Sequence, residues 1–174
     1  MANPTISAIE AREAIRCLLE QERILAFDRP FTSADALALG SYAASLRSDY
    51  TEGYCVEIWR EADGADLFRW LADDKADRNY VFCAGKRRSA LASGHASPYE
   101  QLDALAQGRS LDDVWAKVPQ SVASCGAFPI RAEGAWVATI AVSGLHEGLD
   151  HEVVLRTLEH ATGRRAPRFQ VPVA

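Results

Sequence analysis

The sequence lacks the features of a membrane protein and of a disulfide-stapled one. Its longest apolar runs fall well short of the roughly 20 residues that a transmembrane helix requires, so we predict no membrane span. Residues 1–17 mix charged with apolar side chains and lack the basic start and apolar core of a signal peptide, so a cytoplasmic location is expected. Its cysteines, Cys17, Cys55, Cys83 and Cys125, form no C-x-x-C pair and are predicted to be free, mostly buried thiols.

The sequence also carries no excess of positive charge. The net charge of -5 argues against general nucleic-acid binding, which depends on neutralising phosphates. Two basic clusters remain, Lys86, Arg87 and Arg88 in one and Arg164, Arg165 and Arg168 in the other. The first cluster is compatible with an anionic ligand or with a solvated helix face. The second falls within residues 162–174, which are predicted to form a solvated C-terminal tail.

The chain has the size and the composition of a single globular domain. With 174 residues, 48% of them apolar and 25% charged, it can bury a sizeable core. No internal repeat or linker divides it, so residues 1–174 are expected to form one domain. Helical spacing of apolar residues predicts helices at Thr5–Glu22, from Thr32 or Ser33 onwards, at Tyr80–Leu91 and from Asp150 to Gly163.

Alternating apolar and polar residues predict two β-hairpins. The four strands are expected at Tyr54–Arg60, Leu67–Leu71, Ala123–Arg131 and Trp136–Ser143. Pro129 cannot donate a ladder hydrogen bond, so its strand is expected at an edge or a bulge. The short apolar run Ile24–Phe27 is compatible with a further strand or with a packed connector.

Four polar residues, His146, Glu147, Asp150 and His151, suggest a metal site at first sight, because imidazole and carboxylate groups bind zinc or iron. Their spacing argues against it, since two histidines five residues apart on a helix diverge by roughly 140°. The pattern favours a helix N-terminus capped by Asp150, and no dedicated metal site is predicted.

Nucleophilic catalysis finds equally little support. Ser143 lacks the flanking glycines of the G-x-S-x-G nucleophile elbow. Cys125 would need activation by His95 or His151, and a buried, inert thiol is the favoured interpretation. Gly126 and Gly144 are expected where backbones approach closely or φ is positive.

Five motifs resemble one known family. They are DLFRW, DRNYVFCAGK, SGHAS, CGAFPI and IAVSGLHEGLDHEVV, which follow in this order between about Ile24 and His160. Together they resemble the UPF0303 family, a branch of the GlcG, HbpS and PduO C-terminal group of haem-binding or haem-degrading-like domains. The resemblance implies an α+β, profilin-like fold with three layers, α/β/α. It also implies an antiparallel sheet of about five strands and assembly into a homo-oligomer, a dimer or a larger ring.

The resemblance also marks individual positions. Those that match recurrent family residues are Asn79, Lys86, Ser97, Gly126, Phe128, Pro129, Ser143, Gly144, Asp150 and His151. Relatives tend to carry a His-Gly-Gly element where this chain has Ser124, Cys125 and Gly126, so a ligand role of that histidine would be lost here or pass to Cys125. The tryptophan usual after the Asn79 position is replaced as well.

Three functions remain open. The first is a small-ligand-binding protein. Haem is the ligand that the resemblance implies, and cationic side chains of the protein would bind its propionates. Its predicted ligand-binding residues are Lys86, His95, Ser97, Cys125, Gly126, Ser143, Gly144, Asp150 and His151. The second is an assembly protein without cofactor, in which Trp59, Trp70 and Trp136 make oligomer contacts. The third is an enzyme with His95 or His151 as acid or base.

Overall fold

The computed structural model describes residues 6–118, 120–146 and 148–173. The helices are α1 (Ala8–Ile24), α2 (Ser33–Ser45), α3 (Arg78–Ser93), α4 (Tyr99–Ala106), α5 (Leu111–Lys117) and α6 (Leu149–Thr162). The strands are β1 (Cys55–Arg60), β2 (Asp66–Leu71), β3 (Ala127–Ala132) and β4 (Ala135–Ser143). The predicted first residue of helix α1, Thr5, lies outside the described residues, as does Glu147. Within the described ranges, no helix is both long and apolar enough to cross a bilayer.

The four strands form one antiparallel sheet in the order β2-β1-β4-β3, so the expected α+β class is confirmed and the expected number of about five strands is corrected. Beside β3, where a fifth strand would pair, there is a single parallel bridge between Phe27 and Ala132. The Ile24–Phe27 run is therefore the end of α1 and a packed connector. Pro129 lies in this edge strand as predicted, and it removes one donor from the edge.

The sheet carries helices on both faces, which gives the three layers expected of the fold. On one face Val56 and Ile58 of β1 join the main core with α2 and α6. On the other face Cys55 and Trp59 pack in a smaller cluster with Cys83 of α3. Successive strand residues point to opposite faces, so the alternation in the sequence assigns each residue to its layer.

Local sequence explains two features of the helices. Thr32 accepts from the amide of Asp35, and the Asp35 carboxylate accepts from the amide of Thr32, so a capping box starts α2 and Thr32 is the N-cap of the two predicted starting residues. Gly85 interrupts the helical pattern of α3 for a steric reason. A Cβ atom there would lie 2.6 Å from the side chain of Val122, so glycine lets the segment that leads into β3 pack directly on the helix.

The C-terminal residues 163–173 contradict the prediction of a solvated tail. Arg168 donates to Glu152 at 2.7 Å and to Glu159 at 2.8 Å, while Arg164 donates to the carbonyl of Ala26 at 2.6 Å. The Glu159 side chain is almost fully buried, and a buried carboxylate requires a nearby cation. Of the predicted basic cluster, Arg165 and Arg164 remain solvated, with 88% and 41% of their side chains exposed.

The three tryptophans predicted at oligomer contacts are engaged within the chain. Trp59 is buried beneath the guanidinium of Arg87, 5.1 Å from the ring centroid. Trp70 packs edge to face on Tyr54, and the indole N–H of Trp136 donates to the carbonyl of Ala138 at 2.9 Å. For Trp59 in particular, burial contradicts a role in contacts between copies.

Candidate functional site

A cavity of about 600 Å³ lies where the N-terminal half of α3 faces the end of β4 and the loop that leads into α6. We call it the α3 pocket. It is lined by Lys75, Arg78, Asn79, Phe82, Lys86, Val122, Ser124, Cys125, Ser143, Gly144, Leu145, His146, Gly148 and Asp150. Five of the nine predicted ligand-binding residues belong to this lining, namely Lys86, Cys125, Ser143, Gly144 and Asp150.

A buried ion pair between Lys86 and Asp150 forms part of the pocket wall. The Lys86 Nζ atom lies 2.6 Å from Asp150 Oδ2 and 3.0 Å from the carbonyl oxygen of Val142. Asp150 Oδ1 accepts from the amide of Leu145 at 3.0 Å, so the same carboxylate orders the loop before α6. The solvated helix face considered for Lys86 is therefore wrong, because only 5% of its side chain is exposed.

Two glycines allow the backbones around this pair to approach closely. At Gly126, where φ is +129°, a Cβ atom would lie 2.4 Å from the carbonyl of Val142 and 2.8 Å from Lys86 Nζ. At Gly144, where φ is +144°, it would lie 2.7 Å from the backbone of Tyr54. Both positions need glycine for space and for conformation, as the sequence predicted. Gly126 thus lies directly against the ion pair.

The outer part of the α3 pocket combines apolar surface with cations. Phe82, which is 48% exposed, and Leu145 both line this part of the cavity. Lys75 pairs with Glu52 at 3.3 Å, whereas Arg78 has no carboxylate within 4.0 Å among the described residues. Asn79 uses its side-chain oxygen to accept from the amide of Ala76. This arrangement suits an anion attached to an apolar body.

Cys125 belongs to the wall, but its chemistry is that of an inert thiol. Burial raises its pKa to about 12, and its sulfur lies 3.5 Å from the carbonyl oxygen of Val173, to which it donates. A thiol in this state is neither a nucleophile nor a metal ligand at neutral pH, because both roles need the thiolate. The geometry thus argues against Cys125 taking over the role of a family histidine.

Three predicted site residues lie away from the α3 pocket. His95 is in the loop after α3, where its Nδ1 atom lies 3.1 Å from Glu22 Oε2. Ser97 donates to the carbonyl of Ser124 and accepts from the amide of Ala127, so it positions the chain that enters β3. These placements correct the prediction that His95 lines the pocket.

His151 is the third, and it points to the opposite side of α6. Its Nε2 atom lies 2.8 Å from the side-chain oxygen of Gln21, and its ring stacks on Phe169 of the C-terminal segment. Burial lowers its pKa to about 3, so the imidazole is neutral at physiological pH. It therefore cannot serve the α3 pocket as a general acid.

The imidazole that does line the pocket is His146, which the sequence interpretation had assigned only to a rejected metal cluster. Its side chain is 58% exposed, with Nε2 3.8 Å from Glu52 Oε2. Among the described pocket residues it is the only histidine, and it stands on the far side of α6 from His151. Glu147, the remaining member of that cluster, lies outside the described residues.

Sequence reasoning also missed Arg78 and Phe82 of α3 as part of the site. Arg78, Phe82 and Lys86 follow one another at intervals of four residues, so they lie on one face of the helix. That spacing was visible in the sequence. It indicated a functional face only once the position of the β4–α6 loop opposite it was known.

Known proteins are similar to this chain in sequence and in fold. The family model described as "Haem degrading protein HbpS-like" matches residues 31–159. A UPF0303 protein of Streptomyces coelicolor is 32% identical over 162 residues, which cover 92% of this chain and 95% of the relative.

Two solved structures have a similar fold. The crystal structure of the Ybr137w protein matches with a TM-score of 0.75 and 23% identity, over 86% of this chain and 87% of that one. The crystal structure of a PduOC:haem complex matches with a TM-score of 0.64 and 17% identity, over 79% of this chain and 99% of the other. The sheet, the flanking helices and the sequence match agree, and the chain belongs to the HbpS-like family together with the UPF0303 proteins.

Proposed function

We propose that the protein binds a small organic anion with an apolar body in the α3 pocket, and that haem is such a ligand. The observation that carries this proposal is the hydrogen bonding of Lys86. An ammonium group has three N–H donors, and the contacts with Val142 and Asp150 use two of them. The third N–H donor of Lys86 has no acceptor among the described protein residues. Because Lys86 lines the cavity, this donor is available to a ligand there.

Charge and shape around Lys86 support an anion of this kind. Arg78 adds a second cation at the pocket rim, and Phe82 adds an apolar surface next to it. A buried cation donates strong hydrogen bonds to a carboxylate, because water competes less for the hydrogen bond there. A ligand with carboxylates on one side and a flat apolar body on the other would use both features.

The residues present fit haem through three groups. Lys86 and Arg78 would hold the propionates, Phe82 and Leu145 would contact the macrocycle, and His146 would offer an imidazole to the iron. When bound, haem would supply an iron centre for oxygen or electron chemistry. The family description and the haem complex of the PduOC neighbour support haem among such anions.

Haem titration of the purified protein tests this proposal. We expect a saturable Soret shift at about one haem per chain, altered in His146→Ala and unchanged in His95→Ala. The His95 variant is the matched control, because it removes an imidazole that lies outside the pocket. An absent Soret shift would exclude haem. A spectrum that changes in His95→Ala alone would exclude this pocket.

A second measurement addresses the anion independently of iron. We expect an iron-free porphyrin dicarboxylate to raise the midpoint of thermal unfolding of the wild type and of His146→Ala alike. It should leave the midpoint of Arg78→Met less shifted, because that variant has one cation fewer at the rim. The same shift in all three proteins would contradict the proposed role of the cations.

We also propose that the protein is a homo-oligomer in the cytoplasm. Three exposed apolar side chains of α3 support a contact between copies, namely Val81, Phe82 and Leu91. Light scattering tests it, and a strict monomer at micromolar concentration would contradict it. The alternative of an acid-base enzyme loses its predicted residues, because neither His95 nor His151 reaches the α3 pocket.

A further inference from the structure

Two cysteines lie against each other beneath the α3 pocket. The sulfur atoms of Cys55 in β1 and Cys83 in α3 are 3.2 Å apart, and both side chains are fully buried. Cys55 pairs across the strands with Ser143, a residue of the pocket lining, and Cys83 directly follows Phe82 and precedes Lys86 by one helical turn. The sulfur pair therefore joins α3, which forms one side of the pocket, to β1, the strand next to the end of β4 that forms the other side.

We propose that Cys55 and Cys83 form a reversible disulfide, and that this bond changes the affinity of the α3 pocket for its ligand. The statement about affinity rests on the proposed function, whereas the statement about the disulfide does not. A disulfide has a sulfur–sulfur distance of about 2.05 Å, so the two atoms must approach by roughly 1 Å. Small rotations of two side chains that already touch can supply this movement.

The reaction balances with a peroxide as the oxidant. One thiolate attacks hydrogen peroxide, the O–O bond breaks, and the sulfur becomes a sulfenic acid while hydroxide leaves and takes up a proton as water. The second thiol then attacks that sulfur, forms the S–S bond and releases a second water. Two thiols lose two electrons and two protons in total, and a small dithiol reductant reverses the step by exchange.

Burial controls the rate of this reaction. Burial raises the pKa of Cys83 well above its usual range, so the thiolate is scarce while the protein is closed. Oxidation therefore needs a brief opening between α3 and the sheet. Sustained oxidation is expected to form the bond, whereas brief exposure leaves the thiols intact.

The remaining two cysteines are placed differently. Cys17 is half-buried on α1, and the sulfur of Cys125 contacts the carbonyl of Val173. Within the described part of the chain, no other two sulfur atoms lie within 4.0 Å of each other. The disulfide is therefore expected to be specific for one pair and to form within a single chain.

The bond would act on the pocket by fixing α3 to the sheet. Phe82 and Lys86 approach the ligand from α3, while Ser143 approaches it from the strand next to Cys55. Any shift of the helix needed to close the S–S bond moves the first two relative to the third. By linkage, a bound ligand must change the tendency of the thiols to oxidise by the same factor.

Counting thiols by mass tests the disulfide. Full-length protein is treated with hydrogen peroxide, quenched, unfolded and alkylated with a maleimide. We expect the number of alkylated thiols to fall from four to two, with the peptides of Cys55 and Cys83 linked. Cys83→Ala should keep all three of its remaining thiols. Cys17→Ser is the matched control and should still lose two.

Retention of all four thiols in folded protein would overturn the disulfide, provided that urea-unfolded protein loses thiols under the same treatment. Linked peptides that contain Cys17 or Cys125 would overturn it too. The second arm measures the affinity for porphyrin dicarboxylate before and after oxidation. We expect a change of about fivefold or more in the wild type and none in Cys83→Ala.

These arms separate the two proposals. A disulfide that forms without a change in affinity overturns the coupling. Absence of porphyrin binding in both redox states overturns the proposed function, while the mass result still decides the disulfide.

Discussion

The ion pair between Lys86 and Asp150 gives the sharpest test of the site, because stability and binding can be measured on the same variants. The two side chains are 5% and 7% exposed, with a distance of 2.6 Å between Nζ and Oδ2. Removing one partner of a buried pair leaves an uncompensated charge, which costs about 3 to 5 kcal/mol. For a domain of this length the melting temperature falls by about 2 to 4 °C per kcal/mol. Lys86→Met and Asp150→Asn should therefore each melt roughly 6 to 20 °C lower.

The double variant separates charge from packing. Lys86→Met with Asp150→Asn leaves no buried charge, and the asparagine oxygen can still accept from the amide of Leu145. Only hydrogen bonds are lost, so the double variant should cost about 1 to 2 kcal/mol. The coupling energy between the two positions is then at least about 4 kcal/mol. The assay is urea unfolding followed by tryptophan fluorescence.

An exposed pair serves as the control. Arg60 and Asp63 lie 2.7 Å apart but are 45% and 51% exposed, so water screens the two charges and the same cycle there should give a much smaller coupling energy. Additive costs at Lys86 and Asp150, within about 0.5 kcal/mol, would refute the reasoning that the charges are paired in a medium of low dielectric constant. The folded double variant should also fail to bind the porphyrin dicarboxylate, which would separate the role of Lys86 in binding from its role in stability.

Three further predictions concern the elements around the pocket. Burial holds the pKa of His151 at about 3, below about 6.5 in the unfolded chain, so its contribution to stability is present above pH 6.5 and is lost as the pH falls towards 3. The free energy of unfolding of His151→Gln should fall less steeply with acidification over this range, by up to about 1.4 kcal/mol per pH unit, and equal slopes would contradict the assignment. Gly126→Ala should cost about 3 kcal/mol or more in urea unfolding, whereas Gly134→Ala, with φ of +83° but open space at its Cβ position, should cost only about 1 to 2 kcal/mol. Deleting residues 164–174 should speed the alkylation of Cys125 in the folded protein, and an unchanged rate would show that the segment does not shield it.

The sequence predicted the elements of the fold well, because their signals are local. Alternation placed both hairpins, and the start of α2 was expected at Thr32 or Ser33, within one residue of where it lies. The number of strands was harder to predict from the sequence. The Ile24–Phe27 run has a strand-like composition, but it makes a single bridge at the β3 edge. The composition of such a run does not determine how many residues of the neighbouring β3 edge can pair with it.

The site was predicted only in part, because its signals depend on contacts between distant segments. Glycines at 126 and 144 and the residues Lys86 and Asp150 were recognised, and they do lie together. His95 and His151 were assigned to the pocket because they share a motif with it, yet their partners Glu22 and Gln21 are on α1. Helix α1 precedes His151 by more than a hundred residues, so the local sequence around His151 does not indicate this contact.

The order of strands in the sheet has a consequence for how the molecule folds. Two hairpins, β1–β2 and β3–β4, join neighbours in the chain and can close within microseconds. The pairing of β1 with β4 brings together Cys55 and Ser143, with three helices in the chain between them, so loop closure makes this the slow event. The α3 pocket lies at that seam and exists only after it has closed. A ligand that binds there should therefore slow the separation of the two hairpins and leave the rate of their initial closure unchanged.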